Sequence, residues 1–296
     1  MRYINGNNYE GSWKADKKNG KGREVYNWGS IYQGDFVDNR REGVGKIEYN
    51  DDSYYEGAWV LGKKCGKGFI KFGTGDSYEG EFKDDLMNGT GVFTSVDKDT
   101  HKGMFVNEVP HGKGVVHYAN GDIFDGNFVE GFREGNANYE FRNGDLYNGN
   151  FSQDIIVGKG SLSTKNGDRY EGNFSDGKKD GKGMIMFKDG NSYEGDFIMG
   201  KLEGYGINYL HNGKYEGEFK NGLREGHGTY NWDNTDRYVG FWKNGLQNGK
   251  GIFYYSNGDR HEGWFTGGVF NGEGIQYGND NSILASGLWK DSKIVS

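Results

Sequence analysis

The chain has 296 residues, 55 of them glycine and one proline, with 33% apolar residues, 16% aromatic residues and a net charge of −7. A single cysteine, Cys65, excludes an intramolecular disulfide framework and fits a reducing compartment, and the net acidity argues against nucleic acid as the main partner. No run of 18 apolar residues offers a membrane span and the start Met-Arg-Tyr-Ile-Asn-Gly lacks an apolar signal segment, so a cytoplasmic protein is expected.

From residue 9 onward one pattern governs the chain. Tyr9 is followed by Gly11, Trp13 and the pair Gly20-x-Gly22. The pattern restarts at Tyr32, Tyr55, Tyr78, His101, Phe124, Tyr147, Tyr170, Tyr193, Tyr215, Tyr238 and His261, with a step of 23 residues except for 22 between Tyr193 and Tyr215. A half-repeat over 285–290 closes the series. A fixed period of this length predicts a single repeat array over 1–296, each unit burying apolar surface only against its neighbours.

Within the first unit, Tyr9-Glu-Gly-Ser-Trp13 alternates ring or glycine with polar residues, the period-2 signature of a strand with one buried face. The second half alternates likewise: in the third unit Gly66, Gly68, Ile70 and Phe72 share a face opposite to Lys67 and Lys71. Each repeat is therefore expected to be a hairpin with its rings on one side. The Gly-x-Gly pair is expected to leave room for the ring at Trp13 to lie across the opposite strand. A phosphate-cradling glycine loop needs a following helix, and no segment has helical periodicity. Dipeptides such as Asn120-Gly121, Asn143-Gly144 and Asn166-Gly167 stand between hairpins, where a tight turn with both central residues at positive φ is expected. Glu10, Glu56, Glu79, Glu171, Glu194, Glu216 and Glu262 share one register and Lys21, Lys67, Lys113, Lys159, Lys182 and Lys250 another, giving a charged ladder on the face away from the rings. The predicted fold is all-β: a single-layer antiparallel meander of about twelve hairpins, elongated and twisted or coiled into a ribbon.

The unit Tyr-x-Gly-x-(Trp/Phe), then Gly-x-Gly, then Asn-Gly-Asp-x-Tyr resembles the MORN repeat over nearly all of residues 3–290. The resemblance is closest to repeat-only members of that family, such as radial-spoke-head and protist cytoskeletal proteins, and implies a scaffold in a ciliary or cytoskeletal assembly. Some copies depart from the pattern. His101 and His261 stand for the first tyrosine, Phe124 for another, Ala137 for the second glycine of the sixth repeat and Thr164 for the closing aromatic of the seventh. The stretch 93–165 is therefore irregular, as a bend, a contact site or neutral drift.

No motif for catalysis, cofactor or metal emerges. The histidines have no partners at metal-ligand spacing, no nucleophile elbow is present, and the acid pairs fall on the ladder or in turns. The expectation is a protein that is not an enzyme, needs no cofactor and no small-molecule substrate, and binds other proteins. Three surfaces are candidates. An open aromatic groove is expected to be densest at Tyr193, Phe197, Tyr215, Phe219, Tyr230, Trp232, Tyr238, Trp242, Phe253 and Tyr255. The hairpin loops carry an apolar row, Leu86, Val109, Phe132, Ile155, Leu223, Leu246 and Val269, that either tucks under the sheet edge or forms a docking stripe. Residues 1–72 hold 13 Lys or Arg against 10 Asp or Glu, and the pairs Lys17-Lys18, Arg40-Arg41 and Lys63-Lys64 are read either as a solvated edge or as a contact for an anionic membrane surface.

Overall fold

The computed structural model describes residues 4–295, which form 26 strands and no helix among the described residues. By its packing the chain divides into two compact units, 1–144 with 151–154, and 145–150 with 155–296. In both units successive strands pair antiparallel, as in β1 (Asn8–Lys14) with β2 (Lys17–Val25), β2 with β3 (Ile31–Val37), and β3 with β4 (Arg40–Glu48). The predicted class, an antiparallel meander of hairpin repeats, is the observed one.

The two kinds of turn differ from expectation. Inside a repeat, the two residues joining the strands both have positive φ, as at Ala15 (48°) and Asp16 (57°) or Asp84 (50°) and Asp85 (75°). This is the geometry whose twist matches that of paired strands. Between repeats, at Asn120-Gly121, only Gly121 has positive φ (96°); its N–H donates to the Tyr118 carbonyl at 2.9 Å and the Tyr118 N–H donates to the Asp122 carbonyl at 3.0 Å. That is a type I turn closed by a glycine bulge, so the Asn-Gly dipeptide does not supply two left-handed residues here.

Both edges are stitched from repeat to repeat. On the inter-repeat side a carboxylate accepts the N–H of the next turn, Val96 to Asp76 at 2.8 Å and Ser256 to Asp236 at 2.7 Å. On the hairpin side Glu42 accepts the Leu61 N–H at 2.9 Å and Glu225 the Asn244 N–H at 2.8 Å. Turn N–H groups with no strand partner are thereby satisfied.

The core is a zipper of rings. Tyr32 meets Phe36 of its own repeat edge-on at 5.1 Å and Trp59 of the next at 5.4 Å; Tyr55 does the same with Trp59 and Phe82 at 5.2 and 5.0 Å. In the second unit Tyr170, Phe174, Tyr193, Phe197 and Phe219 continue in the same way within that unit. Each such contact contributes about 0.5–1.5 kcal/mol beyond the burial of its area.

The ring that needs glycine is the first tyrosine, and not the residue at Trp13 as expected. The Tyr55 hydroxyl donates to the Ala58 carbonyl at 2.9 Å, and to reach it the ring crosses the opposite strand. A Cβ on Gly68 would lie 2.5 Å from Tyr55 Cε2 and Oη. Only the second glycine of the pair lies under the ring. The first, Gly66, has φ of 66° and its Cβ would face Ala58 on the other side of the sheet, because a bulge between Gly57 and Trp59 shifts the register.

Candidate docking groove

The ring face is largely closed. Tyr193, Phe197, Tyr215, Phe219, Tyr230, Tyr238 and Trp242 are buried, and Trp232, Phe253 and Tyr255 are half-buried. The last three meet one another at tilted angles along the face, Trp232 with Phe253 at 5.4 Å and Phe253 with Tyr255 at 4.9 Å. The open aromatic groove expected from sequence is therefore corrected for the seven buried rings, which are covered by rings of their own and neighbouring repeats, while Trp232, Phe253 and Tyr255 stay partly accessible. A cavity of about 270 Å³ lies there, lined in part by Tyr230, Trp232, Trp242, Arg224 and Leu246. Burial pushes the phenols of Tyr147, Tyr170 and Tyr193 up to about 12, so they stay neutral donors at physiological pH.

A second layer of the ring face is cationic, and strand parity explains it. Lys17, Arg40 and Lys63 point outward, and Lys17 and Lys63 meet Asp38 and Asp84 at 3.5 and 2.9 Å. Their neighbours turn inward. Arg41 lies 4.1 Å from the Trp59 ring and donates to the Gly62 carbonyl at 2.8 Å; Lys64 lies 5.4 Å from the Tyr55 ring, and burial lowers its pKa. Lys18 is buried in an ion pair with Glu24 beneath the Tyr9 ring. Of the six cations expected at an anionic surface, three are caps on the aromatic core, a position where a cation over a ring contributes about 0.5–2 kcal/mol.

The loop row behaves differently. Val109, Phe132, Ile155, Leu223, Leu246 and Val269 are exposed and Leu86 is half-buried, so the row lies along the hairpin edge and does not tuck beneath the sheet.

The open concavity lies on the opposite face, over the charged ladder. In the first unit a groove of about 1190 Å³ runs across Glu56, Lys67, Phe69, Val92, Met104 and Val115. In the second unit a groove of about 1000 Å³ runs across Val239, Phe241, Ile252, Trp264, Ile275 and Leu288, with His227, Lys250, Glu262 and Glu273 among its polar members. The glycine rungs form the floor of both. Ladder lysines pair with the residue after the first glycine, Lys21 with Asp35 at 2.9 Å and Lys182 with Asp196 at 2.7 Å, and that contact with Lys21 holds the Asp35 carboxyl below its ordinary range.

Phe241, Trp264 and Leu288 were not singled out from sequence, although a signal existed. They occupy the place held by Ser12, Asp35, Asn127, Asn150, Asn173 and Asp196 in other repeats; Ala58 and Met104 are isolated apolar residues at this place, whereas Phe241, Trp264 and Leu288 form a run of three. They are 51%, 44% and 46% exposed.

Two buried imidazoles complete the inventory of titratable groups. His101 and His261 occupy the tyrosine position, and burial pushes both down to about 4. His101 Nε2 and both His261 nitrogens have no hydrogen-bond partner among the described residues. Their surroundings are Phe105 and Phe128 for His101, and Phe265, Phe270 and Trp289 for His261, which suit packing and not proton transfer. Among the described residues no three His, Cys, Asp or Glu side chains gather where a metal could bind, and no helix is long and apolar enough to cross a membrane.

Eleven stretches, running from 9–31 to 238–260 with only residue 214 omitted, match the MORN repeat family. The chain belongs to that family. Repeats of this family suggest a protein-binding or membrane-associating scaffold. The twelfth repeat lies beyond the matched stretches, yet it forms the hairpin β23 (Arg260–Thr266) and β24 (Val269–Tyr277). No curated protein matches the sequence. Among solved structures, the TCP10 domain of Danio rerio CPAP in complex with a peptide of Danio rerio STIL overlaps at 10% identity over 84% of this chain and 96% of that one, with a TM-score of 0.34. The SAS-4 (dCPAP) TCP domain of Drosophila melanogaster, in complex with a proline-rich motif of Ana2, overlaps at 10% identity over 64% and 90%, with a TM-score of 0.32. Overlaps this loose bear on neither the fold nor the function of the chain.

Proposed function

We propose that this protein is a scaffold that docks a partner protein in the groove over its charged ladder, with the apolar hairpin row as a second contact. The observation that carries the reading is the exposed series Phe241, Trp264 and Leu288 in the wall of a groove. Large apolar groups left in water along a concavity are costly unless a partner covers them. The rings of the opposite face are already covered by one another, which leaves the ladder face as the surface with capacity to bind. The reading places the protein in a cytoskeletal or ciliary assembly, and that placement rests on its likeness to repeat-only members of the family.

The test is affinity capture from native tissue with the wild-type chain and with Phe241→Asn/Trp264→Asn, followed by hydrogen exchange on the recovered complex. Partners lost with the double variant, and protection over 239–252 and 262–275, are the expected result. Protection confined to the hairpin tips would move the docking surface to the loop row. An anionic membrane surface is a second reading, supported by the outward Lys17, Arg40 and Lys63. Vesicles containing phosphatidylserine should then sediment the chain in low salt and fail to do so after charge reversal of those three residues.

A further inference from the structure

The groove of the second unit has a periodicity and a polarity that restrict its occupant. Its rungs are cross-strand neighbours: His227 opposite Phe241, Lys250 opposite Trp264, and Glu273 opposite Leu288. His227 meets the Phe241 ring edge-on at 5.5 Å and Lys250 Nζ lies 5.4 Å from the Trp264 ring, so the first two rungs pair a ring with a nitrogen side chain. The third rung inverts the charge. The position of Glu273 is lysine at Lys159, Lys182 and Lys250, and the Glu273 carboxylate has no hydrogen-bond or ion-pair partner among the described residues.

We propose that this groove takes a left-handed polyproline II segment with an apolar side chain at every third position and an arginine or lysine at the Glu273 end. The proposal rests on the reading of this groove as the docking surface. Two strands separate successive rungs, so the rungs recur at about 9.6 Å. A polyproline II chain returns to the same face every three residues, about 9.3 Å, and stays in register over three rungs. A helix returns after seven residues, about 10.5 Å, and falls about 2 Å out of register over the same span. An extended strand shows the same face every about 6.7 Å and misses the middle rung by about 3 Å. Proline rings also suit the exposed faces of Phe241 and Trp264, since an aromatic-lined groove is the recurring receptor for a chain that has already lost its conformational freedom. The carboxylate of Glu273, exposed at one end of the groove, gives a cationic ligand residue a charge partner there and so sets the direction.

The experiment is fluorescence anisotropy with two labelled peptides of equal charge, each long enough to span three rungs. One carries three Leu-Pro-Pro triplets followed by two arginines; the other is alanine-rich and helical, with leucines seven apart and the same arginines. Tighter binding of the proline peptide is expected, with about tenfold weakening by Trp264→Asn and by Phe241→Asn and a smaller loss by Glu273→Lys. Asparagine already stands at this repeat position in Asn127, Asn150 and Asn173, so these variants should keep the wild-type thermal midpoint. Preference for the helical peptide, still lost in the asparagine variants, would overturn the proline assignment and leave the groove as docking surface. Failure of both peptides to bind, or binding indifferent to Phe241 and Trp264, would overturn the proposal, while the capture experiment above decides separately whether the groove docks a protein.

Discussion

Repeats that open with tyrosine and repeats that open with another ring solve the same packing problem differently. In the third repeat the Tyr55 hydroxyl reaches the Ala58 carbonyl over Gly68. In the fifth, His101 is too short to reach, and its Nε2 has no partner among the described residues. In the sixth, Phe124 carries no hydroxyl, and where the other repeats have a glycine the facing strand has Ala137, which is buried. The missing oxygen and the added methyl belong together: the ring that gives up its hydroxyl vacates the space the methyl fills. The difference teaches that the second glycine is required by the hydroxyl-bearing ring, and not by the strand.

The largest expected effect is on the glycine beneath a tyrosine. Gly68→Ala puts a methyl 2.5 Å from Tyr55 and should cost about 3 kcal/mol, read as a fall in urea midpoint. Gly114→Ala, whose Cβ would lie 2.9 Å from His101 Nε2 and 3.2 Å from Phe128, should cost clearly less. Equal losses would break the link between hydroxyl and glycine.

Next in size is Phe124→Tyr, expected to destabilise by about 1–3 kcal/mol because the restored hydroxyl meets Ala137. Adding Ala137→Gly should recover most of that loss and give the pair a favourable coupling in a double-mutant cycle. Additive effects would mean the two departures are unrelated.

His261→Tyr should stabilise by about 1 kcal/mol if its hydroxyl finds the Trp264 carbonyl as its counterparts do in other repeats. Calorimetry of the variant reads this directly, and an unchanged midpoint would show that Phe270, stacked on His261 at 3.8 Å, has closed the site to a larger ring.

A further effect is with pH, and it develops gradually between the two pKa values. Burial lowers the folded pKa of His101 and His261 to about 4 from an ordinary 6.5. Between those values the unfolded chain takes up protons that the folded chain refuses. The stability contributed by the neutral imidazoles is therefore complete above 6.5 and lost as pH falls toward 4. Replacing both histidines by tyrosine should flatten this part of the stability curve, and a slope that persists unchanged would assign it to the carboxylates.

Sequence alone determined the strands, their order and the ring face, because a 23-residue period combined with two-residue alternation permits little else. Tyr55 and Trp59, Gly57 and Gly68 were all legible as partners on one side. Three things were decided only in the folded chain. The bulge between Gly57 and Trp59 moved the first glycine to the other face, a register shift that alternation cannot report. Rings of neighbouring repeats met edge to face and covered most of the face that looked open, because coverage depends on what the next unit brings and not on the polarity of the residues themselves. And the free surface appeared over the charged ladder, at Phe241, Trp264 and Leu288, where the sequence shows a run of three large apolar letters in a mostly polar column until the strands set them side by side.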